Sequence, residues 1–303
     1  MTTTPQIIDL LIEARWIAAV DPDVVYKNHA VAIHGGRILA ILPASEARIR
    51  FTPDKNVTLA DHILIPGLIN LHTHAAMTLM RGLADDRPLM DWLQNHIWPA
   101  EAAHMSAQFV LDGTRLACAE MLKGGITCFN DMYFFPEAAA AAASEYGMRA
   151  MLGITAIEFP TPYASDADDY LNKGLAVREL WLNNPLIGFC IAPHAPYTVS
   201  DQTFDRVMTL SAQLNLPVHC HIHETAHEIE ESLKQYKRRP LDRLHELGLL
   251  GPNFIGVHAV HLNDHDLELL ADTGSNIAHC PTSNLKLASG FAPVAQMRQL
   301  GIN

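Results

Sequence analysis

The chain has 303 residues, 49% of them apolar, and carries 33 Asp plus Glu against 21 Lys plus Arg, a formal charge of −12. That is enough apolar material for one barrel-sized domain with an appendage. The acidic surplus argues against a nucleic-acid polymer or an anionic membrane as partner, because both repel such a surface, and it leaves small neutral or cationic ligands.

The N-terminal "MTTTPQIIDLLIEARW" has no basic region before its apolar stretch, and Glu13 and Arg15 interrupt it, so it is not read as a signal peptide. Residues 1–62 hold strand-like runs, "IDLLIEARWIAAV", "HAVAIHGGRILAIL" and "NVTLADHILI", separated by turn signals at Asp21-Pro22, Gly35-Gly36 and Pro53-Asp54. This part reads as a small β appendage.

From residue 63 to 303 the rhythm changes. Seven apolar runs of strand length, "GLINLHTH", "GITCFNDM", "RAMLGITAI", "LIGFCIAPH", "PVHCHIHE", "FIGVHAVH" and "NIAHCP", alternate with helix-length segments such as Met105–Lys123 and Ser200–Leu214. Strands apolar on both faces, separated by helices, indicate a parallel sheet covered by helices. The Ala-rich "PEAAAAAAS" (Pro136–Ser144) reads as a surface helix with Pro in its first turn. No run reaches about 18 apolar residues, so no membrane-spanning helix is expected. Five scattered cysteines without a Cys-x-x-Cys pair are a reduced, intracellular pattern, which predicts a cytoplasmic protein.

Histidines or carboxylates recur at the ends of these runs: His72 and His74, Asp131, His194, Glu224, His258 and His279. An open sheet would spread them along an edge, whereas a (β/α)8 barrel gathers strand ends around one axis, where its chemistry sits. The expected fold is therefore α/β, a (β/α)8 barrel with strands one to seven present and the eighth missing. Residues two apart on a strand share a face, so His72 and His74 project together. In "VHCHIHET", His219, His221 and His223 alternate and end in Glu224. Imidazole suits Zn2+ and Fe2+, and a catalytic site needs about three protein ligands. Spacing alone does not say which of the three histidines binds; the others would be core or hydrogen-bonding residues. The alternative for Glu224 is a solvated residue opening the helix "ETAHEIEESLKQY", against which its place at the strand-helix junction argues.

The motifs "PGLINLHTH", "HCHIHET", "APHAPYTVS" and "HCPTSNLKLASG" together resemble the amidohydrolase superfamily, more narrowly its cytosine-, guanine- and adenosine-type deaminase branch, and within it the methylthioadenosine/S-adenosylhomocysteine deaminases. The resemblance runs from about Asp9 to the last residue. It implies a metal-bearing barrel and a β-sandwich built from both chain ends. It implies His72, His74 and His221 as ligands of one divalent metal, Zn2+ with Fe2+ as the alternative. Binuclear relatives carry a lysine at the end of strand four, where this chain reads "IAPHAP". The resemblance further implies Glu224 as the proton-shuttling acid that also touches the purine, His258 as the residue holding the attacking water, Glu101 as the ribose-hydroxyl acceptor and His194 as a second substrate contact.

The activity so implied is hydrolytic deamination of a purine nucleoside, 5′-methylthioadenosine first, S-adenosylhomocysteine or adenosine otherwise, with release of ammonia. No arginine lies between Arg149 and Arg178, which weighs against S-adenosylhomocysteine. The alternatives are a deaminase or chlorohydrolase of the same branch acting on guanine, a pterin or a triazine, and a non-catalytic fragment. The family's aspartate at the tip of strand eight would follow residue 303, so these residues alone are expected to be inactive. The partner expected is a small-molecule nucleoside, with a homo-oligomer open.

Overall fold

The computed structural model describes residues 4–303, which fall into two compact units divided between Leu68 and Ile69. The first contains strands β1 (Gln6–Ala18), β2 (Val25–His34) and β3 (Arg37–Pro43), helix α1 (Ala44–Arg50) and strand β4 (Phe51–Leu64). They form one four-stranded sheet in the order β3-β2-β1-β4. The run "HAVAIHGGRILAIL" is two strands: Gly35 and Gly36 take φ of +58° and +72°, the left-handed pair that a two-residue hairpin turn requires. Helix α1 was not expected. Ala47 buries against Ile8, Ala30 and Leu42, and Arg48 clasps the buried Glu13 of β1 through Nε at 3.1 Å.

From the unit boundary onward come the seven strands expected, in the expected order: β5 (Leu68–Thr73), β6 (Ile126–Asp131), β7 (Arg149–Ala156), β8 (Ile187–Pro193), β9 (Val218–Ile222), β10 (Phe254–His258) and β11 (Asn276–Ala278). They are neighbours in chain order, and every pair from β6 to β11 is parallel. Among the described residues no strand pairs with the outer edge of β5 or β11. The sheet is thus a nearly closed seven-stranded barrel.

Between β5 and β6 the chain makes a 3-10 turn at Ala75–Met80, then α2 (Leu89–Trp92), a π-helical stretch at Leu93–Ile97, α3 (Trp98–His104) and α4 (Ala107–Lys123). The later crossovers carry α5 (Pro136–Glu145), α6 (Ala167–Trp181), α7 (Asp201–Leu214), α8 (Ala226–Tyr236), α9 (Pro240–Glu246) and α10 (Asp264–Thr273), and α11 (Pro281–Lys286) and α12 (Val294–Gln299) follow β11. Side-chain oxygens of Ser106, Asp166, Ser200, Thr225 and Asn263 cap α4, α6, α7, α8 and α10 by accepting a backbone N–H of the first turn.

The Ala-rich helix α5 corrects the surface reading. Ala138, Ala139, Ala140, Ala142 and Ala143 are all buried, in contact with α4 and β7. Methyl side chains let α5 lie close to both neighbours, and composition did not reveal that closeness. Gly113 works similarly. A Cβ there would fall 2.8 Å from Ala76 Cα and closer still to its carbonyl oxygen, so α4 touches the backbone of the turn after His74. Among the described residues no helix is long and apolar enough to cross a membrane.

Candidate active site

His72 lies near the end of β5 and His74 just beyond it. Three contacts fix this segment. Asp131, at the end of β6, accepts the Ala75 N–H at 2.7 Å. Thr78 donates to the Gly113 carbonyl at 2.8 Å. His74 Nδ1 sits 2.6 Å from the Met132 carbonyl, which only accepts, so Nδ1 carries the proton and Nε2 keeps its lone pair. His221, on β9, repeats the arrangement, with Nδ1 2.7 Å from the His194 carbonyl.

The His221 Nε2 so freed lies 3.2 Å from His72 Nε2. Ligand atoms of His72, His221 and His258 all fall within 4.8 Å of one another, and the His74 ring centroid is 4.8 Å from that of His72 and 5.3 Å from that of His221. Burial holds the His74 pKa below the ordinary imidazole value, and burial together with neighbouring imidazoles holds His72 and His221 well below it. They are neutral at pH 7, as metal ligation demands. Neutral imidazoles whose far nitrogen is already hydrogen-bonded are the donor set of a divalent site, so the residues present fit one Zn2+ or Fe2+.

The other two histidines of "VHCHIHET" separate here. His223 Nε2 accepts the Leu241 N–H at 3.1 Å and its Nδ1 faces the His261 carbonyl at 3.2 Å. Both nitrogens are committed to the scaffold. His219 is fully buried, with Nε2 3.3 Å from His72 Nδ1.

Glu224 follows β9 and is 5% exposed, which rejects the solvated reading. Its backbone N–H donates to Glu228 Oε2 at 2.9 Å, and the His223 N–H donates to Glu228 Oε1 at 3.0 Å. Burial first, then the Glu228 charge, pushes the Glu224 carboxyl up to about 8. Uncharged at neutral pH, it can donate a proton; a nearby cation would favour its ionised form, so one carboxyl can serve as acid and base. His258 Nε2 stands 3.5 Å from Glu224 Oε2. The backbone turns left-handed at His223, His258 and Ala259, with φ of 50°, 75° and 48°; such strain in non-glycine residues concentrates at functional sites.

His72, His74, His221, Glu224 and His258 line a cavity of about 470 Å3, together with the exposed His279. A second cavity, about 300 Å3, is walled by Trp98, Phe134, Phe159 and Pro160 and holds Glu101. Tyr133 donates to Glu101 Oε1 at 2.7 Å, and burial pushes Glu101 up to about 7. His74, Trp92, Leu93 and His194 line both cavities. His194 Nδ1 lies 2.9 Å from Thr198 Oγ1, and burial holds its pKa down to about 3.

Sequence reasoning missed Tyr133, Glu228 and Asn284. Tyr133 gave no signal, because only the fold brings it to Glu101. Glu228 did: Thr225 followed three residues later by Glu228 is a capping pattern, although the Glu228 carboxylate holds the residues just before the helix. Asn284, in "HCPTSNLKLASG", has its amide 2.9 Å from His258 Nδ1.

Residues 63–303 match the Amidohydrolase family. A 5-methylthioadenosine/S-adenosylhomocysteine deaminase of Saccharophagus degradans is 48% identical over 296 residues, covering 97% of this chain and 66% of its own length. One from Teredinibacter turnerae is 46% identical over 304 residues, covering 100% and 69%. An adenosine deaminase structure from Xanthomonas campestris with bound zinc superposes with a TM-score of 0.96 at 49% identity, covering 99% of this chain and 68% of that one. Atrazine chlorohydrolase from Arthrobacter aurescens TC1, complexed with zinc, gives a TM-score of 0.88 at 20% identity, over 97% of this chain and 70% of that one, a likeness of fold alone. The chain thus spans about two thirds of the length of these relatives.

Proposed function

The chain belongs to the amidohydrolase family, and from that premise we propose that the protein is a metal-dependent deaminase of 6-aminopurine nucleosides, with 5′-methylthioadenosine as its first substrate. The observation that carries this reading is the shared wall of the two cavities: His74 and His194 join a chamber bearing Glu224 and the imidazole cluster to one bearing Glu101. The purine amino group belongs in the first and the ribose hydroxyls at Glu101 in the second. The names carried by relatives 43–48% identical support the substrate class.

His72, His74 and His221 would hold the metal. When bound, a divalent cation supplies a water of lowered pKa and a positive charge beside the reacting carbon. Glu224 does the proton work. Water adds to the amino-bearing ring carbon while the adjacent ring nitrogen takes the Glu224 proton. One proton of the water passes to Glu224 and on to the amino group, which leaves as ammonia as the C–N bond breaks; the other, released as the new hydroxyl becomes the ring carbonyl, restores the Glu224 carboxyl. His258 orients the water from its place beside Glu224. The Glu101 carboxylate, steadied by Tyr133, accepts from the ribose hydroxyls, so the reading favours nucleosides over free bases.

The test is a panel of methylthioadenosine, S-adenosylhomocysteine, adenosine, guanine and cytosine with the full-length protein, following ammonia release and bound metal. About one equivalent of metal and turnover of nucleosides but not bases are expected. Turnover of guanine or cytosine in preference to the nucleosides would overturn the reading.

A further inference from the structure

We infer that His219 is a positioning residue for the metal: its Nε2 accepts the Nδ1–H of His72 and so holds the His72 ring with Nε2 free to ligate. The inference rests on the reading of His72 as a ligand.

Each of the other two ligands has its Nδ1 fixed by a backbone carbonyl, Met132 for His74 and His194 for His221. Main-chain acceptors survive any substitution at their own position. His72 differs: its Nδ1 faces a side chain, the Nε2 of His219 at 3.3 Å. The reverse tautomer would put a proton on His72 Nε2, which would donate to the His221 Nε2 lone pair 3.2 Å away; both nitrogens would then be spent on each other and the site closed to a cation.

The setting of His219 points the same way. It is fully buried on β9, two residues from His221 and on the same strand face. Its Nδ1 is buried with no hydrogen-bond partner. A hydrocarbon side chain would fill the volume without leaving a polar atom unpaired, so packing alone does not account for a histidine. The contrast with His223 is direct: equally buried and in the same alternation, it spends both nitrogens on the scaffold. His219 spends its single polar contact on His72.

The test compares His219→Gln, His219→Asn and His219→Leu in the full-length protein, stripped of metal and titrated with Zn2+ against a chromophoric chelator. Glutamine can place a carbonyl oxygen where Nε2 was; asparagine, equally polar, is too short. Asn and Leu are expected to weaken Zn2+ binding by roughly 10- to 100-fold, the usual effect of losing a ligand's hydrogen-bond partner, and Gln by no more than a few-fold. With saturating Co2+ the ligand-field spectrum should be the parent's in every variant, because the ligands are unchanged. Equal affinity in Gln and Asn, parent-like affinity in Leu, or a shifted Co2+ spectrum showing that His219 itself ligates would each overturn the inference alone. A parent that takes up no metal overturns the ligand reading and the inference with it.

Discussion

Glu224 and Glu228 illustrate how much one turn of backbone decides. The two carboxyls sit four residues apart at the start of α8, both buried, and Glu228 accepts the N–H groups of His223 and Glu224. Glu228 is therefore a clamp, and Glu224 is left with its side chain in the cavity beside His258. A proton-shuttling role predicts that Glu224→Gln, nearly isosteric, keeps metal and nucleoside binding and loses turnover by a factor on the order of 10² or more. Steady-state rates with a parallel binding titration check this, and turnover near the parent's would return Glu224 to an ordinary helix-opening residue.

At the scale of elements, the segment carrying His72 and His74 is braced by α4 outside the barrel and by β6 within it. The 3-10 turn after His74 presses its backbone on α4 at Gly113, and Asp131 of β6 holds its first N–H. Gly113→Ala would push a methyl group into the Ala76 backbone, which has no rotamer with which to yield. A loss of about 1–3 kcal/mol of stability is expected, the usual scale of overpacking. Because the displaced turn begins at the ligand segment, metal affinity should fall with it. A midpoint of denaturation unchanged from the parent would show that α4 can slide away from the turn.

Across the whole molecule, burial shifts the ionisable groups of the site toward their uncharged forms, and this predicts a pH optimum for stability of the metal-free protein. Burial raises Glu224 to about 8 and Glu101, Glu228 and Asp131 to about 7, from ordinary values of 4.5 or 3.8. Their contribution is whole below about pH 4 and is lost progressively from there up to pH 7 to 8, because over that range the unfolded chain has released protons that the folded one keeps. Burial lowers His194, His219 and His258 to about 3 and His223 to about 4, from 6.5. Their contribution is lost as pH falls below about 6.5, where the unfolded chain takes up protons the folded one refuses. The two losses offset one another between about pH 5 and 6.5, so the melting temperature of chelator-treated protein should be highest there and fall on both sides. A profile rising steadily to pH 9 would contradict it.

The sequence by itself determined the strand and helix alternation, the seven strands in order, and the recurrence of His72, His74, Glu224 and His258 at strand ends. These features follow from periodicity, which one chain displays without reference to any other part of itself. It did not determine which histidine of "VHCHIHET" turns toward the cluster, because residues two apart on a strand are equivalent until partners are known. Tertiary structure broke that equivalence: the β8 end gave His221 a carbonyl, α9 and the segment after β10 took both nitrogens of His223, and His219 was left against His72. It also buried α5, whose alanines suit a surface or an interior alike. Tyr133 reached Glu101 across 32 positions of sequence through a contact no local pattern records, since hydrogen-bond geometry depends on distance in space rather than along the chain.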